Sequence, residues 1–151
     1  MNIIDILTPQ RTFNGLVCNS KKRALEATSE WLANTIPEFD ATELFTALIS
    51  REKLGSTGFG DGIAMPHCRL ASCQQVIGAL VKLDKGVDFD AIDRQPVDIM
   101  FILLVPKDAT SEHLQVLSTL ASHFSQAEFR ARLRACNSSQ ELFAAATNDL
   151  H

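Results

Sequence analysis

The sequence predicts an α/β (α+β) fold. Segments of helical periodicity alternate with strand-like segments along the chain. One of the latter, Ile99-Met100-Phe101-Ile102-Leu103-Leu104, is apolar without interruption, which predicts a strand buried on both faces. No internal repeat and no Pro/Gly/Ser-rich linker divides the 151 residues. At ~100–200 residues per domain, 1–151 is expected to be a single domain.

The elements follow in order. Ser20 is placed to cap a helix running to about Ile36, with Ala24, Leu25, Leu32 and Ile36 on its apolar side and Trp31 close by. Pro37 stops it. Asp40-Ala41-Thr42-Glu43 has a capping-box pattern with Asp as the cap. The helix it opens should bury Leu44, Ala47 and Leu48 and fade near Leu54, before Gly55. Val76 to Leu83 predicts a strand, and Asp84-Lys85-Gly86 a turn after it. Val97 to Val105 is the strand that contains the apolar run, ended by Pro106. Three helices are expected next. The first runs from about Ser111 to Phe124, with Leu114, Leu117, Leu120, Ala121 and Phe124 at helical spacing. The second covers about Gln126 to Ala135. The third starts at Ser138, with Glu141 in the capping-box position and Leu142 and Phe143 behind it.

Composition excludes several classes. Apolar residues make up 46% and charged residues 21%, values of an ordinary globular chain rather than a disordered one. Fourteen basic against eighteen acidic side chains give a formal charge of −4, so nothing drives binding to a nucleic-acid backbone. The longest apolar run, Ile99 to Val105, is far short of the ~20 residues that cross a bilayer. Met1-Asn2-Ile3-Ile4-Asp5 has neither the basic start nor the long apolar stretch of a signal peptide, so a cytoplasmic location is expected. Cys18, Cys68, Cys73 and Cys136 form no C-x-x-C pair and are expected to be free thiols, with no metal site. Asp88, Asp90 and Asp93 depart from calcium-loop spacing and read as turn residues.

The informative stretch is 54–70, where four of the seven glycines stand at 55, 58, 60 and 62. Such a concentration implies positive φ, or backbone that something approaches closely. Its N–H groups can form a nest for an anion. The P-loop, dinucleotide and nucleophile-elbow patterns all fail here. On composition alone, a long turn between helix and strand explains the stretch as well as an anion site does.

His67 tips the balance. Pro66 has a fixed φ and pushes Met65 toward extended backbone, so Ile63-Ala64-Met65 resembles a strand delivering His67 at its end. An imidazole titrating near pH ~6.5 is largely neutral and nucleophilic in the cytoplasm, and a neutral imidazole can accept a phosphoryl group. Arg51 ends the preceding helix and carries a fork suited to phosphoryl oxygens, although a solvated helix arginine is the alternative. Ser56 and Thr57 offer hydroxyls, as turn residues also do. His113 lies in the first turn of its helix on the side of Leu117, Leu120 and Phe124. It is either a core-edge residue or a neighbour of His67 that contacts phosphoryl oxygens or fixes the His67 tautomer.

Ser50-Arg51-Glu52-Lys53-Leu54-Gly55-Ser56-Thr57-Gly58-Phe59-Gly60-Asp61-Gly62-Ile63-Ala64-Met65-Pro66-His67 closely resembles the active-site stretch of enzyme IIA domains of the bacterial phosphotransferase system, in the mannitol/fructose superfamily. Ser20-Lys21-Lys22-Arg23-Ala24-Leu25-Glu26, Ala91-Ile92-Asp93-Arg94-Gln95-Pro96-Val97-Asp98 and His113-Leu114-Gln115 look like its nitrogen-related branch. The similarity spans nearly the whole chain.

The resemblance implies a mixed β-sheet flanked by helices. It implies a phosphoryl group accepted on Nε2 of His67 from an HPr-like phosphocarrier (NPr), itself charged from phosphoenolpyruvate by an enzyme I. His113 and Arg51 would steady the phosphoryl oxygens, and the loop at Ser56, Thr57 and Gly58 would bind the group. No cofactor, metal or bound nucleotide is required. The regulated partners would be proteins such as potassium transporters or sensor kinases. The family loop often has Asn at the position of Asp61 and Gly at that of Cys68; a charge and a thiol are thus added beside the site. Two other functions stay open: a sugar-specific component passing phosphate to a IIB, and a binding module that is not phosphorylated. Phe59 and Met65 are expected either to form an apolar rim for the carrier or to pack the loop.

Overall fold

In the computed structural model, which describes residues 1–109 and 112–148, six strands form one mixed sheet with helices on both faces. The strands are β1 (Thr12–Leu16), β2 (Gly58–Gly60), β3 (Ile63–Ala64), β4 (His67–Leu70), β5 (Ile77–Val87) and β6 (Val97–Pro106). Their spatial order is β1-β5-β6-β3-β2, with β4 also paired to β6. The β5–β6 pair is antiparallel, whereas β1 joins β5, and β3 and β4 join β6, in parallel. The expected mixed sheet flanked by helices is present.

The apolar run in β6 behaves as its composition predicts. Met100, Ile102 and Leu104 enter the core beneath α2 (Lys21–Thr35) and α3 (Ala41–Leu54). Ile99, Phe101, Leu103 and Val105 enter the opposite core, beneath α1 (Ile3–Ile6), α4 (Glu112–Phe124), α5 (Ala127–Arg134) and α6 (Ser139–Thr147). The period-two alternation therefore feeds two cores from one strand.

The caps of the inner helices also form as read. Ser20 accepts from Arg23 N–H, Asp40 from Glu43 N–H and Ser138 from Glu141 N–H. Glu141 reaches back one residue further than a capping box requires, to the N–H of Asn137.

Two expectations are corrected, and two elements were not expected. Asp84-Lys85-Gly86 is not a turn: β5 continues through it, its register against β6 shifts after Lys82, and pairing resumes at Val87 opposite Val97. The exposed polar residues there belong to a bulged strand end, and the chain reverses later, between Asp88 and Pro96. Leu114 is 60% exposed, because the buried stripe of α4 is Val116, Leu120 and Phe124. The N-terminal pieces, α1 with its Asn2–Asp5 capping box and the short strand β1, carry no strong sequence signal. Ser111, the expected start of α4, lies outside the described residues.

Candidate functional site

Residues 63–70 run along one edge of β6 as a single parallel segment. Ile63 lies opposite Ile99 and His67 opposite Leu103, so β3 and β4 share one register and are interrupted only at Met65-Pro66. Pro66 has no N–H, and the break is bridged by Leu103 N–H donating to the Pro66 carbonyl at 2.9 Å. Strand alternation sends Cys68 and Leu70 into the core beneath α3, leaving His67 and Arg69 on the other side.

His67 is half-buried in a cleft of about 590 Å³ lined by Ser50, Arg51, Leu54, Arg69 and His113. Its two ring nitrogens have different partners. Nδ1 lies 2.8 Å from the Met65 carbonyl oxygen, which can only accept, so Nδ1 carries the proton. Arg51 Nε–H donates to Nε2 at 3.3 Å, so Nε2 carries the lone pair. Arg51 is itself anchored by donating from Nη1 to the Gly55 carbonyl at 2.9 Å. Burial lowers the His67 pKa below the ordinary histidine value. The Arg51 cation and His113 add to that, while the Met65 bond and Glu52 oppose it. The ring is thus held neutral, in one tautomer, with Nε2 facing a guanidinium.

His113 reaches this cleft from the first turn of α4, so the predicted trio of His67, Arg51 and His113 converges. The tautomer of His67 is fixed by the Met65 carbonyl and not by His113. Arg69, which the sequence reading passed over, lies against His113. Its signal was the strand period: two residues past His67, it emerges on the same side.

The glycine loop is arranged differently from expectation. Thr57 donates its N–H and its hydroxyl to the two carboxylate oxygens of Glu52, at 2.9 and 2.5 Å. Ser56 donates its hydroxyl to the Phe89 carbonyl and accepts from Gly58 N–H. The Ser56 and Thr57 hydroxyls and the Thr57 and Gly58 N–H groups are therefore satisfied by the protein's own acceptors, and these residues do not line the His67 cleft. The anion in the nest is a side chain of this chain, Glu52. Its role was legible in principle: Leu44, Leu48 and Glu52 are spaced by fours on the buried side of α3. Lys21 completes the cluster, contacting Glu52 at 3.2 Å and Asp90 at 3.1 Å. The glycines then serve geometry. Gly60 and Gly62 have φ of +109° and +81°, and a Cβ on Gly58 would meet the Ala91 Cβ at 2.7 Å.

The two residues that depart from the family loop are both accommodated. Asp61 sits at the hairpin turn with φ of 58°, accepts no place in the cleft, and lies 3.7 Å from Arg130. Cys68 is buried, and burial above all pushes its thiol pKa up to about 12, far from a reactive thiolate. Asp88 and Asp93 accept turn N–H groups from Asp90, Gln95 and Asp61, as turn residues do. Among the described residues no group of three His, Cys, Asp or Glu is placed to hold a metal ion. Among them, too, no helix is long and apolar enough to cross a membrane. Of the two alternatives for Phe59 and Met65, packing fits Met65, while Phe59 stays exposed. Leu54, 84% exposed, lines the cleft, Phe59 is 37% exposed, and Met65 packs against the second core.

A half-buried histidine whose Nε2 faces an arginine at a sheet edge is an arrangement suited to holding a phosphoryl group. Residues 5–148 match the family model described as "Phosphoenolpyruvate-dependent sugar phosphotransferase system, EIIA 2", and the chain belongs to that family. Within it the similarity is to the nitrogen-regulatory branch. The chain is 51% identical to a nitrogen regulatory protein of Pseudomonas aeruginosa over 138 residues, 91% of this chain and 90% of the relative. It is 41% identical to that of Escherichia coli K12 over 149 residues, 98% and 91% of the two chains. The crystal structure of nitrogen regulatory protein IIA-Ntr from Neisseria meningitidis superposes with a TM-score of 0.85 at 42% identity, covering 96% of this chain and 99% of that one. IIA mannitol from Escherichia coli shares the fold, with a TM-score of 0.76 at 21% identity.

Proposed function

We propose that this protein accepts a phosphoryl group on Nε2 of His67 from a phosphohistidine of an HPr-like carrier, and that its phosphorylation state regulates partner proteins in the cytoplasm. The observation that carries this reading is the pair of contacts on the His67 ring, Nδ1–H to the Met65 carbonyl and Nε2 to Arg51.

The step balances without metal or cofactor. The Nε2 lone pair attacks phosphorus as the N–P bond of the carrier breaks, and its bonding pair returns to the carrier's imidazole. His67 keeps its Nδ1 proton and becomes a cationic N-phosphoryl ring. That N–H then donates more strongly to the Met65 carbonyl, a charge-assisted bond. The donor ring, protonated on its far nitrogen, leaves as neutral imidazole. Both bonds are N–P, so the step is near isoenergetic, and positioning with electrostatics supplies the catalysis. Arg51 exchanges its bond to Nε2 for bonds to phosphoryl oxygens, and His113 donates from the opposite helix.

The regulatory role is supported by the relatives at 51% and 41% identity, both named nitrogen regulatory protein. Potassium transport systems and sensor kinases are the partner classes to examine. A phosphoryl group adds up to about two negative charges beside the exposed Leu54, which alters the surface a partner meets. Intact-mass measurement with phosphoenolpyruvate, enzyme I and the carrier tests the chemistry. One acid-labile phosphoryl group on the wild type and none on His67→Ala is the expected result. No gain on the wild type beside a demonstrably charged carrier overturns the reading.

A further inference from the structure

Arg69 is placed to act on the site, yet the transfer step above does not use it. It follows His67 by one strand repeat on β4 and lines the same cleft. Its guanidinium has a double engagement. Nη1 donates to the carbonyls of Lys107, at 3.2 Å, and Ala109, just past the end of β6. Nη2 stands 3.4 Å from both ring nitrogens of His113. An in-plane approach at equal distances would collide with Cε1, so Nη2 lies off the ring plane, against the imidazole face. Arginine's fork can hold the ring in this way while Nη1 holds the two carbonyls, which lysine's single ammonium cannot do. Lys107 and Ala109 precede α4, whose first turn carries His113. One side chain therefore ties β4, the β6–α4 connection and the ring of His113 together beside His67.

We propose that Arg69 is a positioning residue for phosphoryl transfer: it clamps the His113 ring at the wall of the cleft so that a ring nitrogen meets the phosphoryl group on His67. This rests on the proposed phosphoryl transfer to His67. A guanidinium nitrogen held against the face leaves the ring edge, with its N–H, free to point into the cleft. Nη1 meanwhile holds the carbonyls of Lys107 and Ala109, which precede α4 in the chain. Removing the clamp should free His113 to rotate, an effect on the transfer step rather than on carrier binding.

Single-turnover transfer from the phosphorylated carrier separates this from a structural role. It is measured against carrier concentration for wild type, Arg69→Met, Arg69→Lys, His113→Gln and the Arg69→Met/His113→Gln double variant. Arg69→Met and His113→Gln are each expected to lower the saturating rate about tenfold, with half-saturation unchanged within about twofold. The double variant should be no slower than His113→Gln alone, because the two residues act as one unit. Arg69→Lys, which keeps the charge and loses the fork, should fall between wild type and Arg69→Met. If Arg69→Met proves unfolded by circular dichroism, Arg69→Lys decides alone: slower than wild type supports the clamp, equal to wild type overturns it. Wild-type rates in folded Arg69→Met, losses that multiply in the double variant, or an unimpaired His113→Gln each overturn the inference. A wild type that takes no phosphoryl group from a charged carrier instead removes the transfer reading beneath it.

Discussion

His67 combines two properties that an exposed histidine has only in part: a single tautomer and a lone pair available below the usual titration range. The Met65 carbonyl provides the first, and burial, assisted by Arg51, the second. A protonated imidazole has no lone pair to attack phosphorus, so a lowered pKa extends nucleophilicity to lower pH. An NMR titration of the His67 ring in the unphosphorylated protein should give a midpoint below the ordinary ~6.5. A midpoint at or above that value would contradict the assigned environment. The sign carries into stability. Between the folded and unfolded pKa values the unfolded chain binds more protons, so this residue's contribution is full above the ordinary value and declines as pH falls through it. At the same scale, Cys68 stands next to His67 and is chemically quiet, because its thiol stays protonated in the core.

At the scale of elements, the C-terminal turn of α3 carries out two tasks with adjacent residues. Arg51 faces the cleft and Glu52 faces inward, 5% exposed, where it holds the start of the glycine loop. Because the two are covalent neighbours, anchoring Glu52 also orients the turn from which Arg51 extends. Glu52→Ala leaves the Thr57 N–H and hydroxyl without their acceptor and Lys21 without its buried partner. An orphaned buried donor costs ~1–3 kcal/mol, so a loss of about 3 kcal/mol is expected in urea unfolding. A loss below about 0.5 kcal/mol would mean that Glu52 does not hold the loop. The sequence made the loop conspicuous through its glycines and hid its partner. Composition pointed to an anion nest and could not say that the anion is internal; the four-residue spacing from Leu44 through Leu48 to Glu52 was the available sign.

The whole molecule brings β4, the end of α3 and the start of α4 to one edge of the sheet, and the fold's two cores keep them there. Much of this was legible. Capping residues and helical spacing located α2, α3 and α6, and the continuous run in β6 announced burial on both faces. What escaped depended on contacts remote in sequence. The strand β1 is five residues long and contains a glycine, so only its pairing with β5 defines it. Leu114 fits the apolar spacing of α4 yet has no core opposite it, and 84%-exposed Leu54 becomes the apolar wall of a cleft visible only once the fold closes. Arg69 depended on two such long-range placements, the edge position of β4 and the approach of α4.

The central claim is that this architecture holds His67 with its proton on Nδ1 and offers Nε2 for phosphorylation. Long-range ¹H–¹⁵N correlation of the His67 ring, recorded at neutral pH before and after charging from phosphoenolpyruvate through the carrier, reads both statements directly. The expected result is the neutral Nδ1–H tautomer before charging and a phosphoryl group bonded to Nε2 afterwards. An Nε2–H tautomer at rest, or a phosphoryl group on Nδ1, would contradict it.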